Sequence, residues 1–141
     1  MDNLKTGYLF KKIDDALERK ANNRLKEKGL TMSQAYVLMQ LIEAEEGFLP
    51  LKAVERSLGV AQPTAAGIVS RLEIKGLVAS FPDENDKRVK LLSLTEKGVE
   101  AAKGAENGVR NLNNDMFTGL KDEEMETLHK LLHRVYDNVK N

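Results

Sequence analysis

Gln62, Thr64, Ser70 and Arg71 lie within ten residues of one another, with Pro63 beside the first and the small residues Ala66 and Gly67 between them. On a helix opening near Gln62 they form a solvent face unlike the Glu/Lys mixture of an ordinary surface helix. Small residues let a helix approach a groove closely. Gln, Thr, Ser and Arg carry the donors and acceptors that meet base edges and phosphates in double-stranded DNA, and a helix N-terminus favours phosphate. A plain surface helix is the alternative, and the residues alone leave the two readings open.

A second cluster follows at Pro82-Asp83-Glu84-Asn85-Asp86-Lys87-Arg88, with Lys90 close behind. Adjacent cations on a projecting loop suit a minor groove or flanking phosphates. Asp86 fits such a loop if its carboxylate orients the Arg88 guanidinium through a bidentate hydrogen bond; otherwise the segment is a solvated charged turn. A third pair, His129 and His133, has a helical i, i+4 spacing that can chelate zinc, with Glu126 or Asp137 as a third ligand. Two solvated histidines on a polar face are the simpler reading, and no metal or other cofactor is expected.

Composition narrows the classes. The chain has no cysteine, which excludes disulfides, thiolate metal sites and a thiol nucleophile. It carries no Gly-rich phosphate loop and no Gly-x-Ser-x-Gly elbow, so no enzyme is expected. Lysine plus arginine equals aspartate plus glutamate, 22 against 22. Any nucleic-acid surface is therefore local: from Leu51 to Lys90 there are seven basic residues against five acidic ones. No apolar run approaches the roughly 20 residues of a membrane helix, and residues 1–12 lack the apolar core of a signal peptide. A cytoplasmic chain with no membrane partner is expected.

The elements that must position these residues follow from periodicity. Phe10, Ile13, Leu17, Ala21 and Leu25 predict a first helix ending near Gly29. Thr31 and Gln34 form a capping-box pattern ahead of Val37, Leu38, Leu41 and Ile42. Leu51, Val54 and Leu58 predict a short third helix closed by Gly59. The fourth helix carries Pro63 in its first turn and Ala65, Ile68, Val69 and Leu72 on its inner face. Short helix, Gly-containing turn and second helix make a helix-turn-helix pattern.

Leu77–Phe81 and Val89–Leu94 predict a hairpin around the polar tip, with a register that alternation does not fix. Thr95 caps a fifth helix bearing Val99, Ala102, Val109, Leu112 and Met116. Its interior glycines, Gly98, Gly104 and Gly108, require it to lean on packing. Met125, Leu128, Leu132, Val135 and Val139 give the last helix a heptad-like seam. Apolar seams on both terminal helices exceed what one small lobe covers, which predicts a dimer.

The segment from Leu51 to Thr64, the run Ile68-Val-Ser-Arg-Leu-Glu-Ile-Lys-Gly-Leu-Val78, then Asp86-Lys-Arg88 and Leu94-Thr-Glu-Lys-Gly98 resemble the MarR family of winged helix-turn-helix transcriptional regulators in order and spacing. With Gly29–Gln34 and the terminal helices, the resemblance covers nearly the whole chain.

It implies a mainly α fold with a small β-hairpin wing. One domain would hold a DNA-binding lobe at about 31–94 and dimerisation helices at about 4–28 and 95–140. It further implies a homodimer that represses from a palindromic operator and whose affinity for DNA a small-molecule effector can tune. Gln62, Pro63, Thr64, Ala66, Gly67, Ser70 and Arg71 would meet the major groove and backbone, and Asp86, Lys87 and Arg88 would form the wing contact. Ala61 replaces a common capping serine and Gly67 a frequent basic or polar residue, which shifts weight onto Gln62, Thr64 and the wing. A helical protein-interaction module without sequence-specific DNA binding is the alternative.

Overall fold

The computed structural model describes residues 2–141. They divide into two compact units, residues 2–109 and 110–141, with the boundary inside the fifth helix.

Helix α1 (Asn3–Glu27) starts where Asp2 Oδ1 accepts a hydrogen bond from the Leu4 N–H at 3.0 Å. It ends in a turn where Gly29 takes φ +71° and Leu30 N–H reaches back to the Leu25 carbonyl. Of its predicted stripe only Leu25 is buried; Leu17 and Ala21 are half-buried, and Phe10 and Ile13 are exposed. Helix α2 (Met32–Glu43) opens with the expected capping box. Thr31 Oγ1 accepts from Gln34 N–H at 3.1 Å, and Gln34 Oε1 accepts from Thr31 N–H at 3.2 Å.

Strand β1 (Phe48–Pro50) leads directly into α3 (Leu51–Leu58), which Gly59 closes at φ +66°. Helix α4 (Gln62–Ile74) follows α3 after three residues. Its inner residues Ala65, Val69 and Leu72 are buried completely against the core. Strands β2 (Val78–Pro82) and β3 (Lys90–Leu94) form the expected hairpin.

The sheet has a third strand. Its order is β1-β3-β2, antiparallel throughout, and β1 was not anticipated because three residues ending in proline carry no alternation. The added strand makes β3 central and resolves the register. Leu92 faces the core, fully buried, opposite Ser80 and Leu49, whereas Leu91 faces the other side opposite Phe81 and Pro50. There the rings of Phe48 and Phe81 meet edge to face at 6.0 Å. Both leucines are buried.

The core gathers Val37 and Leu38 of α2, Val54 of α3, Val69 and Leu72 of α4, Leu77, Val78, Leu92, and Ala102 of the fifth helix. Each buried Leu or Val contributes about 1.5–3 kcal/mol relative to exposure.

Helix α5 (Glu96–Met116) begins at Thr95, whose Oγ1 accepts from Gly98 N–H at 3.0 Å and donates to the Gly76 carbonyl at 2.6 Å. Thr95 N–H also donates to the Leu77 carbonyl. Gly98 follows from this proximity: a Cβ at this position would lie 1.9 Å from the Leu77 carbonyl oxygen, so no larger residue fits without displacing backbone. Gly108 has nothing within 4 Å of such a Cβ. Ala102 and Leu112 of the predicted stripe are buried, and so is Ala105; Val109 and Met116 are exposed.

In the second unit, α6 (Asp122–Val139) opens with Glu124 Oε1 accepting from the Lys121 N–H at 3.0 Å. Its seam is largely open: Met125 and Leu128 are half-buried, and Leu132, Val135 and Val139 are exposed.

Candidate nucleic-acid interface

Burial of Ala65, Val69 and Leu72 fixes which side of α4 faces outward. Gln62, Pro63, Thr64, Gly67, Ser70 and Arg71 are all exposed there, and Ala66 is half-buried at the edge. Among the described residues, none of the side chains of Gln62, Thr64, Ser70 or Arg71 has an intramolecular partner. Their donors and acceptors are therefore free for a ligand. The N-cap is Ala61, which offers no side-chain acceptor, and Pro63 occupies the first turn with its φ already helical. The N-terminal end of the helix is thus uncapped from within, leaving it open to an incoming anion.

The hairpin tip is folded by its own polar groups. Asp83 N–H donates to the Val89 carbonyl at 3.0 Å, Val89 N–H to the Asp86 carbonyl at 2.9 Å, and Asn85 N–H to Asp83 Oδ1 at 3.2 Å. Asp86 holds Arg88 at three points. Its Oδ1 accepts from Arg88 N–H and Nε, each at 3.1 Å, and its Oδ2 accepts from Nη2 at 3.3 Å.

This is the bidentate pairing expected from the sequence. One edge of the guanidinium is occupied, while the side chain remains 92% exposed and its opposite edge points away from the clamp. The Arg88 side chain, and then its backbone N–H, hold the Asp86 carboxyl below its ordinary value of 3.8. Lys87 is exposed beside it.

One positioning residue escaped the sequence reading. Glu73, near the C-terminal end of α4, accepts from Ser80 Oγ of β2 at 3.3 Å and pairs with Lys90 Nζ of β3 at 3.1 Å. It ties the helix to both wing strands. Lys90 is consequently engaged at the base of the wing and does not extend the basic tip. Nothing in helical or strand periodicity links residue 73 to 80 and 90. A second tether lies one residue past the helix: Lys75 Nζ donates to buried Gln34 Oε1 at 2.9 Å and to the Gly29 carbonyl.

The histidines belong to the second unit. His129 and His133 meet edge to face with centroids 4.8 Å apart on α6, and among the described residues no third ligand group joins them. Three exposed or half-exposed carboxylates, Asp14, Asp15 and Glu18, do converge within 4.8 Å on α1, and Asp15 is also paired with Lys11. Among the described residues, no helix is long and apolar enough to cross a membrane.

Known proteins resemble this chain in both sequence and fold. A model of the MarR family matches residues 28–89. YybA of Bacillus subtilis, an uncharacterised HTH-type transcriptional regulator, is 32% identical over 127 residues, spanning 90% of this chain and 83% of that protein. A mutant MarR from E. coli complexed with operator DNA superimposes with a TM-score of 0.74 at 26% identity, covering 92% of this chain and 91% of the other. The S. aureus MepR–DNA complex gives a TM-score of 0.80 at 24% identity over 94% and 97% of the two chains. The fold of this chain is thus shared along almost its whole length, and the chain belongs to the MarR family of transcriptional regulators.

Proposed function

We propose that the protein acts as a homodimer that binds a palindromic operator and represses transcription from it, with a small molecule tuning its affinity for DNA. In this reading Gln62, Pro63, Thr64, Ala66, Gly67, Ser70 and Arg71 enter the major groove, and Asp86, Lys87 and Arg88 contact the backbone or minor groove from the wing. The reading is carried by the outward face of α4, whose hydrogen-bonding side chains have no partner within the fold. The operator complex of E. coli MarR, a protein of similar fold, supports it.

The division of labour follows residue boundaries. Residues 31–94 form the DNA-binding lobe, and the helices at 4–28 and 95–140 form the dimer. Support for the dimer comes from apolar surface on each terminal helix. Leu4, Tyr8, Leu9, Phe10 and Ile13 are exposed on α1, and Leu131, Leu132, Val135, Tyr136 and Val139 on α6; surface of this extent marks an interface in a water-soluble chain. Two-fold symmetry in the protein is copied into the DNA it reads, so half-sites lie about one helical turn apart. In this reading the protein works on DNA in the cytoplasm.

Footprinting on the DNA upstream of its own coding region, combined with light scattering, tests the proposal. A protected imperfect palindrome and a mass twice 15.8 kDa are expected. Salt-independent association with proteins and none with duplex DNA would replace it by an interaction module, and a single-chain mass at micromolar concentration would overturn the dimer.

A further inference from the structure

His129 and His133 stand one turn apart on α6 of the second unit, a spacing that puts both side chains on one face of the helix. The operator reading uses neither of them. Their rings meet with centroids 4.8 Å apart and planes at 82°. Burial does not drive them together, since both residues are exposed. Among the described residues neither imidazole makes a hydrogen bond or an ion pair. Each neutral ring therefore keeps a nitrogen lone pair for an outside partner.

The ring spacing fits a shared metal ion. A metal–nitrogen bond of about 2.0–2.1 Å places the centroid of an imidazole about 3.2 Å from the ion. Two rings bound at right or tetrahedral angles then have centroids about 4.5–5.2 Å apart. The pair on α6 falls inside that window. The donor set selects the ion as well: imidazole nitrogens suit copper, nickel and zinc, and copper(II) is held most tightly. Magnesium and calcium seek oxygen, and among the described residues no carboxylate closes on the pair. Glu126, one turn before His129, and Asp137, one turn after His133, add negative charge along the same face; Asp137 is itself paired with Lys140.

We propose that His129 and His133 chelate a late first-row divalent metal ion, copper(II) most tightly, with water completing its coordination shell. The site needs only α6 and is independent of the operator reading.

The test titrates the full chain with copper(II) chloride at neutral pH and reads the bound ion by electron paramagnetic resonance. One ion should bind per chain, with a spectrum showing coupling to two imidazole nitrogens. His129→Ala and His133→Ala should each weaken binding about tenfold or more, because one imidazole alone cannot chelate. Both positions are exposed on a helix that alanine favours, so both variants should keep the parent's circular dichroism. Glu126→Gln should change the affinity by less than about threefold. Zinc should displace copper only in excess, and millimolar calcium should not displace it. Coupling to fewer than two imidazole nitrogens, or a histidine variant that binds copper as the parent does, would overturn the assignment. So would a loss for Glu126→Gln as large as that for the histidine variants. Displacement by calcium would overturn it too, by moving the ion to carboxylates such as Asp14, Asp15 and Glu18 on α1.

Discussion

Helix α4 and the wing lie in the same unit, yet they are held by different forces. Helix α4 is fixed from beneath by apolar burial, with Ala65, Val69 and Leu72 completely enclosed and its outer side chains left without partners. The wing tip buries almost nothing and is shaped by backbone and carboxylate hydrogen bonds among Asp83, Asn85, Asp86, Arg88 and Val89. Apolar burial resists water and salt, whereas exposed polar contacts yield to both. In the proposed reading the helix is a firm platform on which side chains are compared with base edges, and the wing is an adaptable cation suited to phosphate.

The sharpest way to break this contrast is to remove support from below the helix. Leu72→Ala should cost about 2–5 kcal/mol of unfolding free energy through lost burial and a cavity, measured by denaturant titration. Asn85→Ala at the wing tip should stay within about 0.5 kcal/mol of the parent. If the two variants unfolded alike, α4 would not be held by its core face.

The next largest effect belongs to the root of the wing, where Leu77 meets α5. Gly98→Ala forces a methyl group to within 1.9 Å of the Leu77 carbonyl oxygen, and the required backbone shift should cost about 1–3 kcal/mol. Gly108→Ala in the same helix meets nothing within 4 Å and should gain up to about 1 kcal/mol from helix propensity. Opposite shifts in melting temperature are expected. A stabilised Gly98→Ala variant would contradict the close approach.

On DNA the contrast becomes one of information. Gln62→Ala should cost about 1–3 kcal/mol on the operator and much less on random duplex, because a base-edge contact carries sequence. Arg88→Ala should weaken every duplex by a similar factor and lower the salt slope by about one unit. Titrations on both duplexes at several salt concentrations separate the two. A sequence-independent loss for Gln62→Ala would take α4 out of readout.

This contrast also accounts for what was legible in the sequence. Periodicity reports burial, so α1 to α6 and the inner face of α4 could be read directly, as could Gly59 and the Thr31–Gln34 capping box. The Asp86–Arg88 clamp was legible because its partners are two residues apart and chemically complementary. Glu73 was not, since its partners on β2 and β3 are set by tertiary approach. Strand β1 was too short to alternate, so the third strand of the sheet could not be read. The stripe on α1 gave the helix correctly but not its environment: Phe10 and Ile13 are apolar, periodic and exposed, because a helical pattern cannot tell a face covered by its own chain from one left for another.

The smallest expected effect concerns the wing's carboxylate and pH. Arg88 lowers the proton affinity of Asp86, so the clamp is in full force above the ordinary value of 3.8 and is lost only as pH falls through the lowered value. Affinity for random duplex should therefore show no Asp86-dependent change between about pH 5 and 8. Asp86→Asn removes the charge at every pH while keeping one acceptor for the Arg88 N–H. Asp86→Ala removes the acceptor as well. If the carboxylate serves to aim the guanidinium, both variants should bind every duplex more weakly, alanine more than asparagine, approaching the loss seen for Arg88→Ala. If it acts mainly by repelling phosphate, both should bind more tightly, by an amount that shrinks as salt rises. Tighter binding by either variant would reduce the wing to a charged turn and leave Arg88 and Lys87 as independent cations.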